Sequence, residues 1–354
     1  MSIHKLIAFI LFFISFSAFA GEIVTEYKDP ASMGRGDTTT SWSDSSVVST
    51  FYNPSFLSDK QDFSIELINP VIDLSKNSIG VIQHPPSLQN GNLSNTVSPF
   101  YGNTYAGQAF ASPEITYKGF TLIPVFATGG GQVSVNNPVF PSANGLYYYD
   151  WGTSLAKGIQ IDDHLSIGAS AILYHRHAAL GQVSLINVLQ SPIEYQESGT
   201  ALSANLGANY KLKDQYDTTF AADFRNIGSP SFWNTPTGVT GENEVSNLYQ
   251  EIDLGVSSRF FPVPYFDQKM KWAFELHNLS DSRYQVADKI SAGLQYNPVS
   301  WFNLKCGIYE ASPTAGIGLE TRYFSVDVST YSENNTDNGQ EQHVMLGLRI
   351  GYNL

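Results

Sequence analysis

One cysteine, Cys306, stands among 354 residues. An intrachain disulfide is therefore excluded, and so are zinc sites built from two or four cysteines. Charge is scarce too: Asp, Glu, Lys and Arg make up only 14% of the chain, at a net charge of −13. That acidic balance argues against a nucleic-acid partner, which calls for a basic face. After the first twenty residues no run reaches the roughly 20 apolar residues that a membrane-crossing helix needs. Catalytic signatures are also missing: no Gly-x-Ser-x-Gly elbow, His-Glu-x-x-His pair, Walker loop or Cys-x-x-Cys occurs. No enzyme activity, metal or cofactor is expected.

Three local clusters have ordinary readings. Gly129-Gly130-Gly131 opens no helix and reads as a flexible loop rather than a phosphate cradle. His175-Arg176-His177 falls at the end of a strand near the outer rim, where such side chains meet lipid head groups or water. Glu275 and His277, like Glu251 and Asp253, share one strand face, as members of a mixed-charge network do.

What the chain has instead is alternation. From His343 to the end, Val344, Leu346, Leu348, Ile350, Tyr352 and Leu354 interleave with His343, Met345, Gly347, Arg349, Gly351 and Asn353. Strict period two marks a strand with one apolar face. Residues 201–212, 216–226, 251–260, 270–277, 290–297, 302–309, 315–320 and 323–330 repeat it. A soluble sandwich accounts for one such strand. It accounts poorly for about ten in succession, each near the length of a tilted bilayer-spanning strand. Aromatics at 13% suit the interfacial girdles of a membrane barrel. The expected fold is all-β: a transmembrane antiparallel β-barrel.

Met1 to Ala20 reads as a signal peptide, with His4 and Lys5, an apolar run from Leu6 to Phe16, and Ala18-Phe19-Ala20 before a cut at Gly21. Gly rather than Cys after the cut argues against a lipid-anchored lipoprotein. Short turns at 162–163, 213–215, 262–267, 297–300 and 321–322 alternate with polar loops near 84–107, 128–145, 177–198, 228–248, 280–287 and 333–341. That is the pattern of periplasmic turns and extracellular loops, and it demands an even strand number. The count is about 14 if residues 62–83 form one strand interrupted at Asn69-Pro70, and 12 if the weak strands near 108–127 fail. On this register Leu206, Phe224, Leu254, Phe274 and Leu348 face lipid. Asp223, Arg225, Arg259, Lys271, Glu275 and Arg349 line the lumen.

Residues 21–60 carry neither period and read as an N-terminal hatch, or plug, ahead of a barrel spanning 61–354. Met33-Gly34-Arg35-Gly36, then Asp44-Ser45-Ser46, then Asn53-Pro54-Ser55 follow in order. This segment resembles the hatch of the FadL-like family of outer-membrane transporters for long-chain fatty acids and other hydrophobic compounds, with Ser55 in place of the usual Ala. The run from Ile290 to Leu354 looks more like the PorV-like branch of that superfamily. The resemblance implies Gly34, Gly36, Phe51, Asn53, Pro54 and Phe56 as hatch and ligand residues. It also implies the outer membrane of a Gram-negative envelope, with lipid and lipopolysaccharide around the barrel and a hydrophobic small molecule as passenger. The rival role is a PorV-like barrel docking a secreted protein partner, and a minor alternative is an outer-membrane lipid enzyme. An apolar cavity between hatch and wall would favour passage; a polar, filled lumen would favour docking.

Overall fold

The computed structural model describes residues 27–83, 102–136, 142–184, 197–235, 248–259, 269–282, 284–335 and 339–353. The signal peptide and the first residues of the hatch lie outside these. From Ser64 onward fourteen antiparallel strands form one closed sheet. They are β1 (Ser64–Ile68 and Val71–Ser75), β2 (Thr104–Ala111 and Glu114–Tyr117), β3 (Phe120–Asn136), β4 (Ser142–Gln160) and β5 (Leu165–Ser184). Then come β6 (Glu197–Lys211), β7 (Thr219–Arg225 and Trp233–Thr235), β8 (Glu251–Ser258), β9 (Met270–Leu276) and β10 (Ile290–Val299). The last four are β11 (Phe302–Tyr309), β12 (Ser312–Glu320), β13 (Phe324–Asn335) and β14 (Gly339–Asn353).

Three strands are interrupted but remain single members of the wall. Both halves of β1 pair with β14, both halves of β2 with β3, and both halves of β7 with β6. The barrel closes where Ser64 opposes Asn353 and Ser75 opposes His343. Twelve strands are thereby excluded.

Some expectations are corrected. Residues 76–83 are an α-helix rather than the end of a strand. Residues 128–136 and 177–184 are strand, so Gly129-Gly130-Gly131 lies inside β3 and is no loop. Cross-strand packing overrides the low strand propensity of glycine there. The Tyr148 side chain fills the space that a side chain on Gly130 would take, its hydroxyl 2.8 Å and its ring 2.9 Å from the position of such a Cβ. The strand expected over 216–226 starts only at Thr219, because Asp217 adopts φ of 52° in a turn.

The two faces reverse the pattern of a soluble protein. Leu206, Leu254 and Phe274 are exposed on the outer face, with Phe224 and Leu348 half-buried beside them, whereas Asp223 and Glu275 are buried inside. Ile72, Leu155, Ile167, Ile317 and Leu346 extend the outer apolar band. Such a surface costs free energy in water and is at home in lipid. At the end where β1 begins and β14 finishes, Trp301, Tyr323 and Tyr352 edge the band; Tyr147, Tyr149, Trp151 and Trp233 lie toward the other end.

The hatch fills the lumen. Helix α1 (Pro30–Met33) is capped by Asp29, whose carboxylate accepts from the Ser32 amide at 2.8 Å. Helix α2 (Ser46–Phe51) is capped by Ser45 in the same way at 3.2 Å. A 3-10 turn, Pro54–Asp59, follows, with Asn53 as its cap and Pro54 at its first position. The third helix, α3, is the Lys76–Gln83 segment after β1.

Candidate functional site: the hatch and the lumen wall

The hatch is seated on glycine. Gly158, Gly168 and Gly207 oppose one another across β4, β5 and β6, and Asn53-Pro54-Ser55 lies on them toward the end where β1 begins. A Cβ on Gly168 would sit 2.3 Å from the Pro54 carbonyl, so only glycine permits this approach. A second seat forms on β10 and β11, where Gly293 opposes Gly307. There a Cβ on Gly293 would fall 2.1 Å from the Arg35 carbonyl. Gly36 needs its own lack of a side chain twice over: its φ is 76°, and a Cβ would meet the Ala292 carbonyl at 2.5 Å.

Polar side chains lock these seats. Asn53 accepts from the Ser55 amide at 3.1 Å and donates to the Thr40 carbonyl at 2.8 Å. Asn205 and Asn209 of β6 donate to the Phe51 carbonyl and to Ser55 Oγ, at 3.1 and 2.9 Å. Glu275 of β9 collects the backbone N–H groups of Thr39, Thr40 and Ser41 at 2.9, 3.0 and 2.7 Å, with Ser41 Oγ at 2.6 Å. A carboxylate held by three successive amides is a charge-assisted clamp. His277 bridges Glu275 at 3.3 Å and Asp253 at 2.9 Å, while Arg225 gathers Asp223, Glu251 and Asp253 within 3.1 Å.

Inside the hatch, Arg35 is fully buried, 4.3 Å above the Trp42 ring and paired with Asp44. Burial opposes the Asp44 charge, yet Arg35, with Lys305 and Lys271 behind it, holds that carboxyl well below the usual carboxylate range. Asp37 goes the other way: burial outweighs His277 and Arg225 and pushes it up to about 6.

The remaining lumen residues fall out as follows. Lys271 reaches inward to lie 4.4 Å over Trp42, and Arg349 donates to Ser325 at 2.9 Å beside Asp327. Arg259 is not in the lumen. It lies beyond the end of β8, half exposed on the rim and paired with Asp217 at 3.1 Å, where strand alternation no longer governs it. The His175-Arg176-His177 run sits within β5, and alternation splits it. His175 stacks on Trp151 at 4.1 Å, and Arg176 turns inward to clasp Asp150 at 2.8 and 2.7 Å. Phe56 is buried beneath Lys211.

Opposite the charged side lies an aromatic cluster that the alternation did not single out. Tyr27 stands 4.4 Å from Phe110, and Phe51 lies 5.4 Å from Phe126 and 5.8 Å from Phe110. Tyr174 reaches Phe126 at 5.4 Å. The cluster faces a line of wall defects. β1 breaks at Asn69-Pro70, β2 at Ser112-Pro113, and β3 shifts register between Ile123 and Phe126, around Pro124. Each proline removes a ladder donor, and the three breaks fall at one height of the wall. The rings pack against one another, and a polar cavity of about 240 Å³ opens at the barrel mouth where β1 begins and β14 ends.

No family model matches the chain, and neither does any curated protein. Solved structures match over nearly its whole length. The toluene transporter TbuX of Ralstonia pickettii is 10% identical, with 93% of this chain and 99% of that one covered at a TM-score of 0.50. A TodX monoaromatic hydrocarbon channel mutant gives 13%, 92% and 98% at 0.56. A Pseudomonas aeruginosa FadL homologue gives 11%, 94% and 99% at 0.50. The fold is theirs. The likeness anticipated from the hatch motifs holds at the level of architecture.

Proposed function

We propose that the barrel lets hydrophobic or amphipathic small molecules cross the outer membrane passively. One observation carries this reading: the buried rings of Tyr27, Phe51, Phe110, Phe126 and Tyr174 lie against the three strands that proline interrupts. An apolar molecule entering from the outer leaflet or the loops exchanges water for aromatic surface there, at about 25 cal/mol per Å² buried. It leaves sideways at the breaks or past the hatch. Hydrocarbons and long-chain fatty acids both belong to this class. The named channels of like fold support the reading by analogy only, since one fold hosts many functions. On this reading the chain is exported to the outer membrane, with lipid and lipopolysaccharide around its apolar band, and it is not an enzyme.

The polar character of the mouth cavity favours the rival, a barrel that docks a secreted protein. Deletion of residues 30–58 separates the two. In proteoliposomes the deletion should raise the leak of small polar solutes and abolish the protein-dependent uptake of radiolabelled 1-dodecanol. Unchanged leak and unchanged uptake would overturn the plug; no protein-dependent uptake by the intact chain would overturn the passage and leave docking as the better account.

A further inference from the structure

The way down from the aromatic cluster is lined by acid. On β2 the inward residues below Phe110 are Ser112, Glu114 and Thr116, all buried; on β1 those below Val71 are Asn69 and Glu66. Glu66 directly opposes Glu114 across the strand pair. Ser46 of the hatch stands beside Glu114. Four polar atoms along this short column have no hydrogen-bond partner: Glu66 Oε2, Asn69 Nδ2, Ser112 Oγ and Glu114 Oε2. Glu114 and Asn69 are only 2% and 1% exposed, a placement that ordinarily demands partners. Both glutamates open on the 240 Å³ cavity at the barrel mouth.

That cavity has six acidic and three basic residues in its lining. Lys60 donates to the Asp44 carbonyl at 3.3 Å, Arg349 holds Ser325 and Asp327, and Arg322 lies over the rings of Tyr323 and Tyr352. A fatty acid ionised at neutral pH would bring its carboxylate against two opposed carboxyl groups, where the charge they carry disfavours it. An alcohol or phenol fits the same atoms. Its O–H donates to a glutamate oxygen, and the unpartnered Asn69 Nδ2, beyond the cavity lining, is a donor for an oxygen that enters the column.

We infer that Glu66 and Glu114 make this passage selective, favouring neutral, hydrogen-bond-donating amphiphiles over carboxylates of the same chain length. The inference rests on the passage proposed above and names the head group it accepts.

The test is equilibrium binding of radiolabelled 1-dodecanol and dodecanoate at pH 7.5 to the full chain held in amphipol. The alcohol should bind about tenfold more tightly than the acid. In Glu66→Gln/Glu114→Gln the preference should fall to within about twofold, while Asp163→Asn, in an exposed turn, keeps it. Heat-modifiable gel mobility reports whether each variant is folded. Should the double variant not fold, Asn69→Ala serves instead, lowering affinity for the alcohol about threefold and leaving the acid unmoved. Equal binding of alcohol and acid by the unaltered chain, or a tenfold preference surviving in the folded double variant, overturns the selectivity alone. Binding of neither ligand overturns it together with the passage reading.

Discussion

The wall holds the hatch in two different ways. Along β4–β12 the contact is made at the level of the backbone. Glycines admit main chain to main chain at Pro54 and Arg35, and Asn205, Asn209, Asp223, Ser257, Glu275 and Thr314 all bond to hatch atoms. Along β1–β3 the contact is chiefly between rings, and the wall itself is broken at Pro70, Pro113 and Pro124. Backbone seats have one geometry and fail when it changes. Ring contacts tolerate sliding and rotamer change. The contrast assigns anchoring to one arc and yielding to the other, so movement that admits a ligand belongs on the β1–β3 side.

Four substitutions test that division, read as the leak of a small sugar through proteoliposomes. The largest effect is expected at Gly168→Val. Ordinary overpacking costs about 1–3 kcal/mol, and here the obstructed atoms are backbone that has no rotamer to change. The hatch should be dislodged and the leak rise more than about tenfold. Gly80→Ala is the control, since open space surrounds that position. Glu275→Gln comes next. Hydrogen bonds to a charged group are worth about 1.5–3 kcal/mol, so amide exchange at Thr39–Ser41 should speed up by about 10- to 100-fold and the leak should rise several-fold. Phe126→Ala, on the yielding arc, should alter uptake of 1-dodecanol while the leak changes less than about twofold. A leak from Phe126→Ala equal to that from Gly168→Val would abolish the distinction between the arcs.

The smallest effect is one of slope. Asp37 holds its proton up to about pH 6 in the docked hatch, above its usual 3.8. The undocked form releases that proton first, so docking weakens as pH rises between about 4 and 6 and is level on either side. Asp37→Asn should flatten this dependence in hatch exchange rates measured across that window, whereas Glu275→Gln should lower docking without removing the slope.

Much of this architecture was legible because alternation carries its own geometry. Leu254, Phe274, Asp223 and Glu275 could be placed on their faces from period two alone. Arg259 could not, because the register ends one residue earlier, at Ser258. The Gly129–Gly131 run misled for a related reason: glycine in a strand looks like a loop until the neighbouring Tyr148 is known. The same signal, read differently, would have found the seats. Gly158, Gly168, Gly207, Gly293 and Gly307 all stand at positions where glycine weakens a strand unless another backbone approaches. The aromatic cluster was hidden because its rings come from the hatch and from β2, β3 and β5, far apart in the chain. No local period links them.

The seats also set an order of assembly. The hatch precedes every strand in the chain, yet part of its resting place is built by β10 and β11, late in the strand order. Until those strands arrive, Arg35 and Gly36 have nowhere to lie. And once β1 and β14 zip together, the lumen can no longer be filled from the side. A segment that comes first in the chain therefore cannot settle until late strands have joined the wall, and the seam and the plug are finished together.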